Sequence, residues 1–191
     1  ISRKYGIDPV IARIMRNRDV VGDKAINEYL NGTLSDIPSW SLLKDIDKAV
    51  EILAQKIREK AKIRIIGDYD IDGVTATYIL LKGLKRVQAN VDTYIPDRIS
   101  DGYGIHEHLI RQAAQDGIDT ILTCDNGISA VREITQAKET GMTVIVTDHH
   151  EIPFEDTARG RNYKLPPADA IINPKQPGCA YPNKNICGAV V

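Results

Sequence analysis

The sequence predicts an α/β fold: a mostly parallel five-stranded sheet with helices on both faces, preceded by a helical N-terminal segment. Three observations carry this expectation. Short runs rich in β-branched and aliphatic residues stand at 63–66, 91–95, 120–123, 144–147 and 170–172. Segments of helical periodicity at 74–86, 106–115 and 130–140 separate most of these runs, which is the pattern of βαβ units. Before the first run the pattern differs, because apolar residues there recur at helical spacing only.

In chain order, residues 10–16 and 24–30 read as short helices, and Ile46, Val50, Leu53 and Ile57 mark a third by their three- and four-residue intervals. Residues 1–60 are therefore expected to form a helical lead-in packed on a catalytic domain at 61–191. Gly141, just past the segment 130–140, suits a helix C-cap, whereas Gly83 inside 74–86 weakens that helix slightly. Residues 151–168 and 174–191, rich in Pro, Gly and Asn, read as loops. No internal repeat or low-complexity segment interrupts the pattern.

With 191 residues, 42% of them hydrophobic and 27% charged, the chain can bury a core without crosslinks. The cysteines, Cys124, Cys179 and Cys187, are odd in number and form no CxxC pair, which fits reduced thiols better than a disulfide framework or a zinc site. Cys124 lies in an apolar run and reads as core. No apolar stretch is long enough to span a bilayer, and Ile1, Ser2, Arg3 and Lys4 are followed by no signal-type run, so a cytoplasmic chain with no membrane partner is expected. The net charge of -1 gives no basic footprint for nucleic acid. Two local clusters, Arg13, Arg16 and Arg18, and Arg159, Arg161 and Lys164, could face phosphates, although charge runs are more often simply solvated.

The chemistry is concentrated where the strands end. Residues 67–73, Gly-Asp-Tyr-Asp-Ile-Asp-Gly, follow the first run; Pro96, Asp97 and Arg98 follow the second; Asp125, Asn126 and Gly127 the third; Asp148, His149 and His150 the fourth; Asn173 and Pro174 the fifth. In an open parallel sheet these ends line one crevice, which is where ligands bind. Carboxylates gathered in one place repel each other unless cations neutralise them. An oxygen-rich set with one or two histidines suits Mn²⁺ or Mg²⁺, whereas zinc favours thiolates or several histidines. Two such ions about 3.5–4 Å apart can activate a water and stabilise the leaving oxygen of a phosphate ester.

Each motif also has a structural reading. A single Asp after a strand is usually the N-cap of the next helix, which would account for Asp125 or Asp148 taken alone, and paired histidines often lie on the surface. Asp68, Asp70 and Asp72 resist that explanation, since Asp is a poor strand residue and a cap needs only one.

The ordered set resembles the DHH phosphoesterase family, named for the triplet that stands here at 148–150, and within it the RecJ exonuclease branch. The motifs that carry the resemblance are residues 67–73, the segment from Pro96 to Gly104 with its Gly102, Tyr103 and Gly104, then 125–127, 148–150 and 173–174, with Asn17 and Arg18 in the lead-in. The triplet alone is weak, but the ordered set is specific and spans nearly the whole chain.

The resemblance implies metal-dependent hydrolysis of single-stranded DNA from 5′ to 3′, in repair and recombination, with a single-strand-binding protein or a helicase as companions. It places metal ligands on Asp70, Asp72, Asp125 as the bridge, and His149, with Asp68 a ligand or an orienter of ligands. Asp70, Asp72, Asp125, His149 and His150 would be catalytic, while Arg98, Tyr103 and His150 would bind phosphate or DNA. It further implies that another ligand aspartate, a linker helix and a second domain follow residue 191, so the chain is expected to be C-terminally truncated and its two-metal site incomplete. The last residues also depart from the family's usual CGAGV, since Val190 follows Ala189 where a Gly is usual.

Other readings stay open. DHH oligonucleotide or cyclic-dinucleotide phosphodiesterases and pyrophosphatases carry a histidine where this chain has Ile66. A non-catalytic replication scaffold of the same fold would have lost ligands that are present here.

Overall fold

The computed structural model describes residues 1–102, 104–158 and 160–191. They divide into two compact units, Ile1–Ser39 and Trp40–Val191. The first unit holds α1 (Ser2–Tyr5), α2 (Pro9–Asn17) and α3 (Asp23–Asn31), followed by a 3₁₀ turn at Leu34–Asp36. Helix α2 begins as its sequence dictates, with Asp8 accepting the Val10 N–H at 2.7 Å and Pro9 in the first turn, where a missing N–H costs nothing. Asp23, in the first turn of α3, accepts from Lys4 Nζ and Tyr5 Oη, both at 2.6 Å.

The second unit is the α/β domain. It begins with α4 (Ile46–Arg58) and continues through β1 (Lys62–Ile66), α5 (Ile71–Arg86), β2 (Asn90–Tyr94), α6 (Glu107–Gln115), β3 (Thr120–Cys124), α7 (Val131–Glu139) and β4 (Thr143–Thr147). A hairpin of β5 (Phe154–Thr157) and β6 (Gly160–Tyr163) precedes β7 (Ala170–Ile172), and a 3₁₀ turn at Gly188–Val190 follows. Five strands pair in parallel in the order β2-β1-β3-β4-β7. The chain leaves β1 toward β2 on one side and continues from β3 outward on the other, so the topological switch point lies between β1 and β3.

The period-two alternation of the central strands divides their side chains between two apolar layers. Ile66, Ile121, Val144, Val146 and Ile171 pack with Ile110 and Ala113 of α6 and Ile134 and Ala137 of α7. Ile63, Ile65, Leu122, Cys124, Ile145 and Ile172 pack on the other face with Ala49 of α4 and Ala76 and Leu84 of α5. Helices therefore cover both faces, as the sequence predicts. Gly141 stands just past α7 at φ 86, and Met142 N–H returns to the Ala137 carbonyl at 3.1 Å, which completes the C-terminal cap.

Three regions differ from expectation. Helix α4, grouped with the lead-in by its periodicity, belongs to the second unit and packs on the sheet. The segment 151–168, expected to be loop, contains the β5–β6 hairpin, in which Phe154 opposes Tyr163 with ring centroids 6.0 Å apart and the Arg161 guanidinium lies 4.3 Å from the Phe154 ring. Its strands are four residues long and exposed throughout, too short and polar for a period to show. The tail 174–191, also expected to be loop, ends in the 3₁₀ turn.

A charge in the first strand has a structural role. Arg64 is 8% exposed and donates to Asp92 through Nε and Nη2 at 2.8 and 2.7 Å, and to Asp116 through Nη1 at 2.8 Å. Asp92 is its register partner on β2, so the fork ties the edge strand and the end of α6 to the sheet. Removing one partner from a mostly buried pair costs about 3–5 kcal/mol, and partial exposure of both aspartates lowers this to about 2–3 kcal/mol. Arg64→Ala should lower unfolding free energy by that amount in urea titrations and Arg64→Met by less; a loss under about 0.5 kcal/mol for Arg64→Ala would show that the fork does not hold the edge.

Candidate metal centre

The C-terminal ends of β1, β3 and β4 deliver their acidic and imidazole residues to one edge of the sheet. After β1 the chain must turn at once into α5. Asp70 caps that helix, its Oδ1 accepting from Asp72 N at 2.9 Å and Gly73 N at 3.0 Å. Gly73 is required by close approach, since a Cβ there would fall 2.6 Å from the Cβ and carbonyl oxygen of Asp68. Asp68 is 2% exposed, and its Oδ1 has no hydrogen-bond partner among the described residues.

After β3, Asp125 takes a left-handed backbone conformation at φ 60, unusual for a residue with a Cβ, and is 1% exposed. Its Oδ1 lies 2.9 Å from His149 Nε2 without the alignment of a hydrogen bond, and has no hydrogen-bond partner among the described residues. Two lone-pair atoms so placed suit a shared cation. After β4, Asp148 acts as a clamp. Oδ1 accepts from the backbone of His149 at 2.7 Å and of His150 at 3.1 Å, and meets His150 Nδ1 at 2.7 Å, while Oδ2 accepts the Ile128 N–H at 2.9 Å. It thus locks the His-His segment to the loop that carries Asp125. Asn173, after β7, donates to the His150 carbonyl at 3.1 Å.

Among the described residues two compact donor groups result: Asp68, Asp70 and Asp125, and Asp125, His149 and His150, with ligand atoms in each within 4.8 Å of one another. Asp125 is common to both. Asp72 sits beside them, its Oδ2 3.5 Å from His149 Nε2. The Asp72 carboxylate also accepts from Gly188 N at 2.6 Å and Ala189 N at 2.7 Å, and each oxygen keeps a further lone pair. The structure therefore brings together Asp68, Asp70, Asp125, His149 and His150, with Asp72 at their margin. Arg98 stands apart on the exposed loop after β2, with its guanidinium 5.5 Å from the Tyr69 ring centroid, while Tyr103 and Arg159 lie outside the described residues.

The charges are costly where they stand. Burial, then the charges of Asp72 and Asp70, pushes the Asp125 carboxyl up to about 7. Burial likewise raises Asp68. Burial would raise Asp148 too, but the His150 ring and the Ile128 and His150 N–H groups hold it below the usual range. His150 is raised in turn by its bond to Asp148. Orphaned carboxylate oxygens, a hard-oxygen and imidazole donor set, and an acid held up by its neighbours all fit divalent cations.

Two features escaped the sequence reading. The loop-clamping contacts of Asp148 resemble capping in kind but join separate loops. Gly188 closes over the site, and a Cβ there would fall 2.6 Å from Asp125 Oδ1, so the tail must present bare backbone to this edge. The Gly-Ala pair after Cys187 was the available signal.

The profile of the DHH family, N-terminal domain, matches residues 62–191. The single-stranded-DNA-specific exonuclease RecJ of Bacillus subtilis is 38% identical over 191 residues, covering 100% of this chain and 23% of that protein. The Escherichia coli protein of the same name is 36% identical over 186 residues, covering 97% and 30%. The chain thus spans about a quarter to a third of the length of these relatives. Among solved structures, exonuclease RecJ bound to manganese superposes with TM-score 0.66 at 33% identity, covering 78% of this chain and 35% of that one. RecJ of Thermus thermophilus in complex with Mn²⁺ gives TM-score 0.61 at 27% identity, covering 97% and 26%.

The raised Asp125 carboxyl fixes a pH dependence for the metal-free chain. The folded state holds this proton more tightly than the unfolded state, whose ordinary value is 3.8, so the contribution is complete below that value and lost as pH rises through about 7. In EDTA, the melting temperature should fall from about pH 5 to about pH 8, and Asp125→Asn should raise it and flatten the fall. A wild-type melting curve independent of pH over that range would contradict the crowding of charge at this edge.

Proposed function

The chain belongs to the DHH family, and from that premise we propose that it carries the hydrolytic site of a single-strand-specific DNA exonuclease of the RecJ kind. The observation that supports this most directly is the sharing of Asp125 by two donor groups, an arrangement that suits a pair of divalent ions. In this reading Mn²⁺ or Mg²⁺ is held by Asp70, Asp72, Asp125 and His149, with Asp68 as a further ligand or an orienter, and supplies Lewis acidity toward water and phosphate oxygen.

The chain's own groups do the rest. Asp125 neutralises charge between the two positions, and its left-handed backbone is held by a bond from its N–H to the Thr147 carbonyl at 3.1 Å. Asp148 meets His150 Nδ1 at 2.7 Å and fixes the ring, which places the imidazole to stabilise charge on phosphate oxygen. Arg98, its guanidinium 5.5 Å from the Tyr69 ring centroid, offers a fork to a terminal phosphate, and Tyr103 is proposed, by family resemblance, to bind DNA. The relatives named above act on single-stranded DNA by their names, and the same substrate is proposed here, degraded from its 5′ end, with a single-strand-binding protein or helicase as companion by family resemblance.

The test uses the chain within a protein of its relatives' full length, and single-stranded oligonucleotides labelled at either end. With Mn²⁺, mononucleotides should be released from the 5′ label, EDTA should stop the reaction, and Asp125→Ala should reduce it at least about 10³-fold, as losing a ligand common to both ions demands. Near-normal release by Asp125→Ala, or release in EDTA, would overturn the proposal.

A further inference from the structure

The strand order sets out a line of chemistry along the sheet edge. Arg98 follows β2 at one side, the acids follow β1 and β3, the imidazoles follow β4, and Asn173 and Lys175 follow β7 at the other side. Neighbouring strands lie about 4.8 Å apart, so the outer positions are separated by about 19 Å and Lys175 stands about one spacing from the His-His segment. A polyanion laid along this line meets acids in the middle and needs cations at its flanks.

Lys175 is built into that place. Asn173, which is 0% exposed, donates from Nδ2 to the His150 carbonyl at 3.1 Å and accepts the Lys175 N–H on Oδ1 at 2.8 Å. One buried amide therefore fixes the backbone of the imidazole and of the lysine together. The Lys175 side chain is only 20% exposed, and Nζ lies 2.8 Å from Glu151 Oε1. Its partner is 84% exposed, so the cation is pinned while the carboxylate is free to swing into water.

Resting on the reading of this edge as a single-strand hydrolase site, we propose that Lys175 binds a backbone phosphate neighbouring the one that is cut, so that the nucleic acid runs across the strand ends from the β2 side to the β7 side. Glu151 occupies the ammonium until that phosphate displaces it.

The experiment measures binding of a fluorescent oligodeoxythymidylate by anisotropy, with Ca²⁺ standing in for Mn²⁺ to slow cleavage, over a range of salt concentrations. Each phosphate contact on a single strand contributes about 0.7 to the slope of log affinity against log salt. Lys175→Ala should make that slope shallower by about 0.7, Lys175→Arg should preserve it, and Glu151→Gln should tighten binding several-fold. A neutral methylphosphonate placed at one linkage beside the scissile one should weaken wild type and leave Lys175→Ala unaffected. The metal-induced rise in melting temperature should be the same in all variants, which separates a phosphate contact from a folding defect. If wild type binds and cuts single strands while Lys175→Ala keeps the full salt slope, this inference fails and the hydrolase reading stands. If wild type neither binds nor cuts them, both fail.

Discussion

Crowding of carboxylates at the end of a parallel sheet is the constraint on which this structure turns. Asp68, Asp70, Asp72, Asp125 and Asp148 come to one edge from three separate strand ends. In water they would repel weakly, but here Asp68, Asp125 and Asp148 are buried, and burial multiplies the cost of each unneutralised charge. Asp148 is held within the protein by three N–H groups and an imidazole. Among the described residues Asp68 Oδ1 and Asp125 Oδ1 are buried with no hydrogen-bond partner, which suits neutralisation by cations.

Much of the surrounding backbone serves to hold that crowd in place. Gly73 lets α5 start against Asp68, and Gly188 lets the tail approach Asp125 closely enough to donate two N–H groups to Asp72. Asn173 and Asp148 fix the His-His segment from both sides. Such support costs stability locally, in the left-handed Asp125 and in buried like charges, and the two apolar layers on the sheet offset it. Arg64 adds to this frame at a distance from the site by securing β2, the strand that leads to Arg98.

The strands and most helices were legible because β-branched runs and helical intervals are local signals, and the candidate site was legible because acidic and imidazole residues follow β1, β3 and β4 directly. Asp125 illustrates the limit: its position announced a cap or a ligand, but the pairing of its oxygen with His149 depends on strand order, which periodicity does not encode. The role of Arg64 left no local signal, since its partners lie 28 and 52 residues away. The hairpin of β5 and β6 was hidden by short, wholly exposed strands, and Asp72's contact with the tail spans 116 residues.

The central proposal, that Asp125 is shared by two cations, is tested most directly by anomalous diffraction from Mn²⁺-grown crystals of the chain within a protein of its relatives' full length. Two anomalous peaks about 3.5–4 Å apart should appear, with the Asp125 carboxylate between them, one peak toward Asp68 and Asp70 and the other toward His149. A single peak, or peaks that leave Asp125 unligated, would contradict the account.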